Sequence, residues 1–100
     1  GNNAGGLSGP AIKPIALLKV WEVYDVAKKH GVPIIGQGGI SSSVDAIEFL
    51  LAGASAVGVG TALFSDPLLC DKINRDLSEY LKEHSVGSVG SLVGALKENN

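Results

Sequence analysis

Charge is scarce in this sequence and cysteine nearly absent. Of its 100 residues 18% are charged, and eight basic against ten acidic side chains leave a net charge of −2. That balance excludes the basic patch a nucleic-acid surface needs, so no nucleic-acid partner is expected. The single cysteine, Cys70, excludes an intrachain disulfide and fits a reducing compartment such as the cytoplasm. No apolar run approaches the roughly 18 residues of a membrane span. No secretory signal pattern is visible at the start of the chain. A His-Glu metal motif and a nucleophile elbow are both missing, so neither metal ligands nor a catalytic nucleophile can be named. The carboxylates Glu22, Asp25, Asp45, Glu48, Asp71, Asp76 and Glu79 fall on or beside helix faces expected to be solvated. Any proton-transfer residue is therefore expected outside these residues.

What the chain does have is glycine and apolar surface. Hydrophobic residues make up 45% and glycines number 14, a core-rich globular composition. Residues Val32 to Thr61 organise the rest. Val32 to Gly36 is a short apolar run, followed by the turn Gln37-Gly38-Gly39 and a helix pattern from about Val44 to Ala52. Ala54 to Val59 is a second apolar run, followed by Gly60-Thr61 and a helical turn at Ala62-Leu63-Phe64. This is a strand–glycine turn–helix unit occurring twice. Helix starts present unpaired N–H groups and partial positive charge, which attract phosphate, and glycine lets an anion approach the backbone. If the strands are parallel neighbours, both turns lie at one edge of the sheet. The N–H groups of Gly38, Gly39, Gly60 and Thr61 then surround a phosphate, with the Thr61 hydroxyl as a further donor. The alternative is that these glycines only make tight turns.

Around this centre the periodicity predicts a helix from Ile15 to His30 with Leu17, Val20, Trp21, Tyr24 and Ala27 inward, stopped by Gly31. Ala46, Ile47, Leu50 and Leu51 form the buried face of the middle helix, with Asp45 in its first turn and Ser41-Ser42-Ser43 as cap candidates. A helix from about Leu68 to Glu83 turns Leu69, Ile73, Leu77, Tyr80 and Leu81 inward, and Cys70 reads as a buried packing residue within it. His30 reads as a surface residue and His84 as structural. Gly1 to Pro10 is a glycine-rich loop, and Gly87 to Asn100 a linker with a weak helix.

Both strands read as buried on both faces, which requires a parallel sheet with more strands than this chain supplies. The expected fold class is α/β: the C-terminal portion of a TIM (β/α)8 barrel, its last two strands with flanking helices. The remainder would lie outside residues 1–100.

The ordered motifs Gly5-Gly6-Leu7-Ser8-Gly9-Pro10-Ala11-Ile12-Lys13-Pro14, Pro33-Ile34-Ile35-Gly36-Gln37-Gly38-Gly39-Ile40, Leu51-Ala52-Gly53-Ala54-Ser55-Ala56-Val57 and Val59-Gly60-Thr61-Ala62 resemble the C-terminal end of dihydroorotate dehydrogenase. The resemblance runs from about Ala4 to Glu83. It implies an FMN-binding TIM barrel that oxidises dihydroorotate to orotate in pyrimidine synthesis. It implies that Gly9 lies beside FMN, and that Gly38, Gly39, Gly60 and Thr61 bind the FMN phosphate. The form Ser8-Gly9-Pro10-Ala11-Ile12-Lys13-Pro14 is similar to the class 1 bacterial enzymes of the NAD-linked type. Those catalytic subunits form homodimers and pair with a subunit carrying FAD and an iron–sulfur cluster. Gln37 stands where the family more often has an apolar residue. The family's general base, its lysine beside the flavin and its orotate-gripping asparagines are not matched here. Other readings are a different phosphate- or FMN-binding barrel enzyme, or a non-catalytic fragment.

Overall fold

The computed structural model describes residues 9–98. The Gly5 to Ser8 part of the first motif lies outside the described residues. After a single 3-10 turn at Pro10–Ile12, helix α1 runs Lys13–Lys29, with Pro14 in its first turn where no N–H is needed. Strand β1 (Ile35–Gln37) leads through the glycine turn to helix α2 (Ser43–Ala52). Strand β2 (Ala56–Gly58) then leads to the single turn α3 (Ala62–Ser65) and helix α4 (Leu69–Glu83). A 3-10 turn at Val89–Ser91 and a short helix α5 (Ala95–Glu98) follow. Among the described residues no helix is long and apolar enough to cross a membrane.

The two strands pair in parallel, with Ile35 opposite Ala56, Gly36 opposite Val57 and Gln37 opposite Gly58. Parallel neighbours joined by α2 necessarily send both following turns to the same edge of the sheet. Side chains alternate across a strand. Gly36 faces α2, and a Cβ there would stand 2.6 Å from the Phe49 ring. That bare backbone lets Phe49 settle against the sheet, and Phe49 is the largest fully buried side chain. Val20, Ile40, Ala46, Ala52, Ala54, Leu69 and Ile73 complete the core between the sheet, α1, α2 and α4. Burying one such aromatic ring contributes about 1.5–3 kcal/mol.

Three expectations need correction. The strands are covered on the helix side only: Ile35, on the opposite face with Gln37, is 69% exposed, because two strands and their helices supply nothing to lie across it. Cys70 is exposed, not buried, since α4 turns Leu69 and Ile73 inward and the intervening position points away from that stripe. Asp45 is 9% exposed and not on a solvated face, because it is drawn into a hydrogen-bonded cluster beside the glycine turn. His30 is exposed as expected, and His84 stacks on Tyr80 while its Nδ1 meets the Tyr80 carbonyl.

The segment from Val89 to Lys97 packs against α2 and reaches α1. Gly94 donates its N–H to the Leu50 carbonyl at 2.9 Å, and Tyr24 occupies the space a Cβ would need at both Gly53 and Gly94. Lys97 caps this contact, with its Nζ donating to the Trp21 carbonyl, lying 4.8 Å over the Trp21 ring and 3.3 Å from Asp25.

Candidate functional site

At the edge of the sheet where both strands end, the chain forms an open cleft of about 750 Å³. Gly9, Gly38, Gly39, Gly60 and Thr61 all line it, so the structure brings together every residue singled out in the sequence. Pro10, Gln37, Ser41 and Asp66 join them around the rim and walls. Both glycine turns line this one cleft.

The glycines reach this arrangement for different reasons. Gly38 and Gly39 have φ of 125° and 75°, a region that side chains rarely adopt. A Cβ on Gly38 would stand 2.7 Å from the Ala16 Cβ, and one on Gly39 would stand 2.7 Å from the Lys13 backbone nitrogen and 2.9 Å from the Gly9 carbonyl. Both are therefore bare because the start of α1 presses against the turn. Gly60 is different: its φ is ordinary and a Cβ there would meet nothing within 4 Å. Gly60 is the position where an added side chain changes the cleft and leaves the packing alone. Thr61 precedes α3 in helical conformation and its side chain makes no capping bond there. Among the described residues, no backbone carbonyl accepts from the N–H groups of Gly39, Gly60 and Thr61.

Gln37 lies at the end of β1 with its side-chain amide folded across Gly58 of β2, possible only because Gly58 has no Cβ. Two carboxylates lie near the cleft, and both are compensated. Asp66, on the rim, meets Lys72 at 2.8 Å and caps the Leu68 N–H; the Lys72 ammonium holds its carboxyl below the usual range. Asp45 lies behind the glycine turn. Burial would push its carboxyl up, but hydrogen bonds from Lys13 and from the Ser41 N–H and hydroxyl outweigh that and hold it below its ordinary value. Lys13 is held above its ordinary value, first by the bond to Asp45, against the opposing effect of burial.

The Lys13–Asp45 pair was not visible in the sequence, because its partners are 32 residues apart. A partial signal exists in the run Ser42-Ser43-Val44-Asp45: the Ser42 hydroxyl accepts from the Asp45 N–H, as in a capping box. The Asp45 carboxylate then reaches back to Ser41, one residue beyond the cap.

A family model described as dihydroorotate dehydrogenase matches residues 1–81. The chain is 55% identical over 96 residues to the "Dihydroorotate dehydrogenase B (NAD(+)), catalytic subunit" of Citrifermentans bemidjiense, covering 96% of this chain and 30% of that protein. It is 53% identical over 95 residues to the protein of the same name from Desulforamulus reducens, covering 95% of this chain and 30% of that one. Among solved structures, DHODH from Eimeria tenella in complex with ferulenol superposes with a TM-score of 0.84 at 31% identity, covering 96% of this chain and 25% of that chain. The chain thus spans about 30% of the length of the curated relatives it matches. A match across most of these residues, in sequence and in backbone shape together, leaves one conclusion: the chain belongs to the dihydroorotate dehydrogenase family.

Proposed function

We propose that this chain supplies the phosphate end of an FMN site in an enzyme that oxidises dihydroorotate to orotate, in the cytoplasm, as one step of pyrimidine synthesis. The observation that carries the reading is the convergence of Gly9, Gly38, Gly39, Gly60 and Thr61 on one cleft at the end of the parallel pair. The donor set fits a phosphate. Gly39, Gly60 and Thr61 offer backbone N–H groups, Thr61 adds a hydroxyl, and both nearby carboxylates are paired with lysines. Backbone donors held in place by a folded scaffold bind an anion without reorganising, which makes them effective.

In this reading the chain is the C-terminal part, over residues 1–100, of one FMN-binding (β/α)8 barrel. Support comes from the parallel pair with its helices on one side and the bare opposite face at Ile35, which further strands would cover. FMN, when bound, would supply the two-electron acceptor for the oxidation. The chain's own residues bind and orient: Gly38, Gly39, Gly60 and Thr61 hold the phosphate, and Gly9 lines the wall beside it. No catalytic base is assigned among these residues. Relatives that carry the name of an NAD-linked catalytic subunit favour that type here. A homodimer with a partner subunit bearing FAD and an iron–sulfur cluster is part of the same proposal.

The test uses the intact protein. Its visible spectrum should be that of a bound flavin, the colour should fade on adding dihydroorotate without air, and orotate should compete. A colourless preparation that neither takes up FMN nor consumes dihydroorotate would overturn the proposal.

A further inference from the structure

Lys13 and Asp45 do not line the cleft, yet their contacts end on the loop that does. Lys13 Nζ donates to Asp45 Oδ1 at 2.6 Å and to Glu48 Oε1 at 3.3 Å. The other Asp45 oxygen accepts from the Ser41 N–H at 2.9 Å and from the Ser41 hydroxyl at 3.1 Å. At the opposite end of the same loop, Gly39 is pressed against the Lys13 backbone nitrogen and Cβ. One residue therefore holds both ends of Gly39-Ile40-Ser41: Lys13 directly at Gly39, and through Asp45 at Ser41. Asp45 is 9% exposed and the Lys13 side chain 24% exposed, so the pair is partly shielded from water. Removing one partner from such a pair leaves a buried charge uncompensated.

We infer that Lys13 and Asp45 are positioning residues for the anion site, a two-ended clamp that fixes the Gly39–Ser41 loop and offsets the Asp45 charge behind it. The inference rests on the phosphate reading given above and deepens it. Without Lys13, the Asp45 carboxylate that holds Ser41 loses its counter-ion, and the loop gains an unbalanced negative charge at its back. That change opposes binding of an anion and does not oppose binding of a neutral ring system.

That difference gives a test with a built-in control. FMN and riboflavin differ only in the phosphate. Dissociation constants for both are measured by flavin fluorescence on the intact apoprotein, in wild type, Lys13→Met and Asp45→Asn. Wild type should prefer FMN strongly. In Lys13→Met the FMN affinity should fall about tenfold, the loss expected for one charge-assisted hydrogen bond, while riboflavin affinity stays within about twofold. Asp45→Asn should show a smaller loss of FMN preference, because it breaks the ion pair but leaves no uncompensated carboxylate. Should Lys13→Met fail to fold, Asp45→Asn, close in shape, decides the question by the same ratio. An unchanged FMN-to-riboflavin ratio in the folded variants, or equal losses for both flavins, overturns the clamp and leaves the phosphate reading intact. A wild type that binds both flavins equally overturns the phosphate reading itself.

Discussion

Valine placed at Gly39 and at Gly60 should fail for different reasons, although both residues line one cleft. At Gly39 the new Cβ would stand 2.7 Å from the Lys13 nitrogen and from its Cβ, on a backbone with φ of 75°. Overpacking costs about 1–3 kcal/mol and a side chain held in that backbone region about as much again, so the sum is about 2–6 kcal/mol. Against a typical domain stability of about 5–15 kcal/mol, that is a large part of the whole. At Gly60 the Cβ meets no atom within 4 Å and the backbone is unstrained, so the fold should lose less than about 0.5 kcal/mol. Its effect should fall on the ligand, because a valine side chain occupies space beside a donor N–H. Urea unfolding of the apoprotein and FMN titration separate the two. Gly39→Val should unfold at clearly lower urea; Gly60→Val should unfold with wild type and bind FMN at least about tenfold more weakly, the equivalent of one well-placed hydrogen bond to a charged group. A stable Gly39→Val, or a Gly60→Val that holds FMN as wild type does, would refute the division of labour.

Phe49→Ala should destabilise the fold by about 3–5 kcal/mol, because the ring is fully buried between α2 and the sheet; thermal unfolding checks this, and a loss below about 1 kcal/mol would contradict the packing. The Asp45–Lys13 pair sets a pH window. Asp45 is depressed from 3.8, so its contribution is complete above that value and is lost as pH falls through its lower folded value. Lys13 is raised from 10.5, so its contribution is complete below that value and is lost as pH climbs through its higher folded value. FMN retention attributable to the clamp should therefore be flat across neutral pH, and a loss between pH 6 and 8 that disappears in Asp45→Asn would contradict the assignment. Gly94→Ala should loosen the C-terminal segment, since its Cβ would occupy the place of the Tyr24 ring; proteolysis should then cut after α4 faster than in wild type, with FMN affinity unchanged.

The helices were legible because their punctuation is strong. Gly31 and Gly53 stop α1 and α2, and Ser42 caps α2 with its side chain. The strands were legible in place and shorter in extent: Val32 to Gly36 became Ile35–Gln37, because Pro33 has no N–H to donate and ladder geometry lasts only while β2 lies alongside. The cleft was legible because glycine clusters after two apolar runs mark one edge of a parallel sheet. What failed were single positions whose environment is set at long range. Asp45 sits in a helix first turn in either reading, and only the fold brings Lys13 to it. Phe49 is the residue that Gly36 makes room for, and the expected inward face of Ala46, Ile47, Leu50 and Leu51 leaves it out. Cys70 next to Leu69 shows how one step along a helix turns a side chain from core to solvent.

The most direct measurement is an experimental structure of the intact protein with FMN bound. The phosphate should lie about 2.7–3.2 Å from the backbone nitrogens of Gly39 and of Gly60 or Thr61 at once, bridging the two turns. A phosphate held by one turn alone, or bound away from this cleft, would contradict the joint grip on which the functional reading depends.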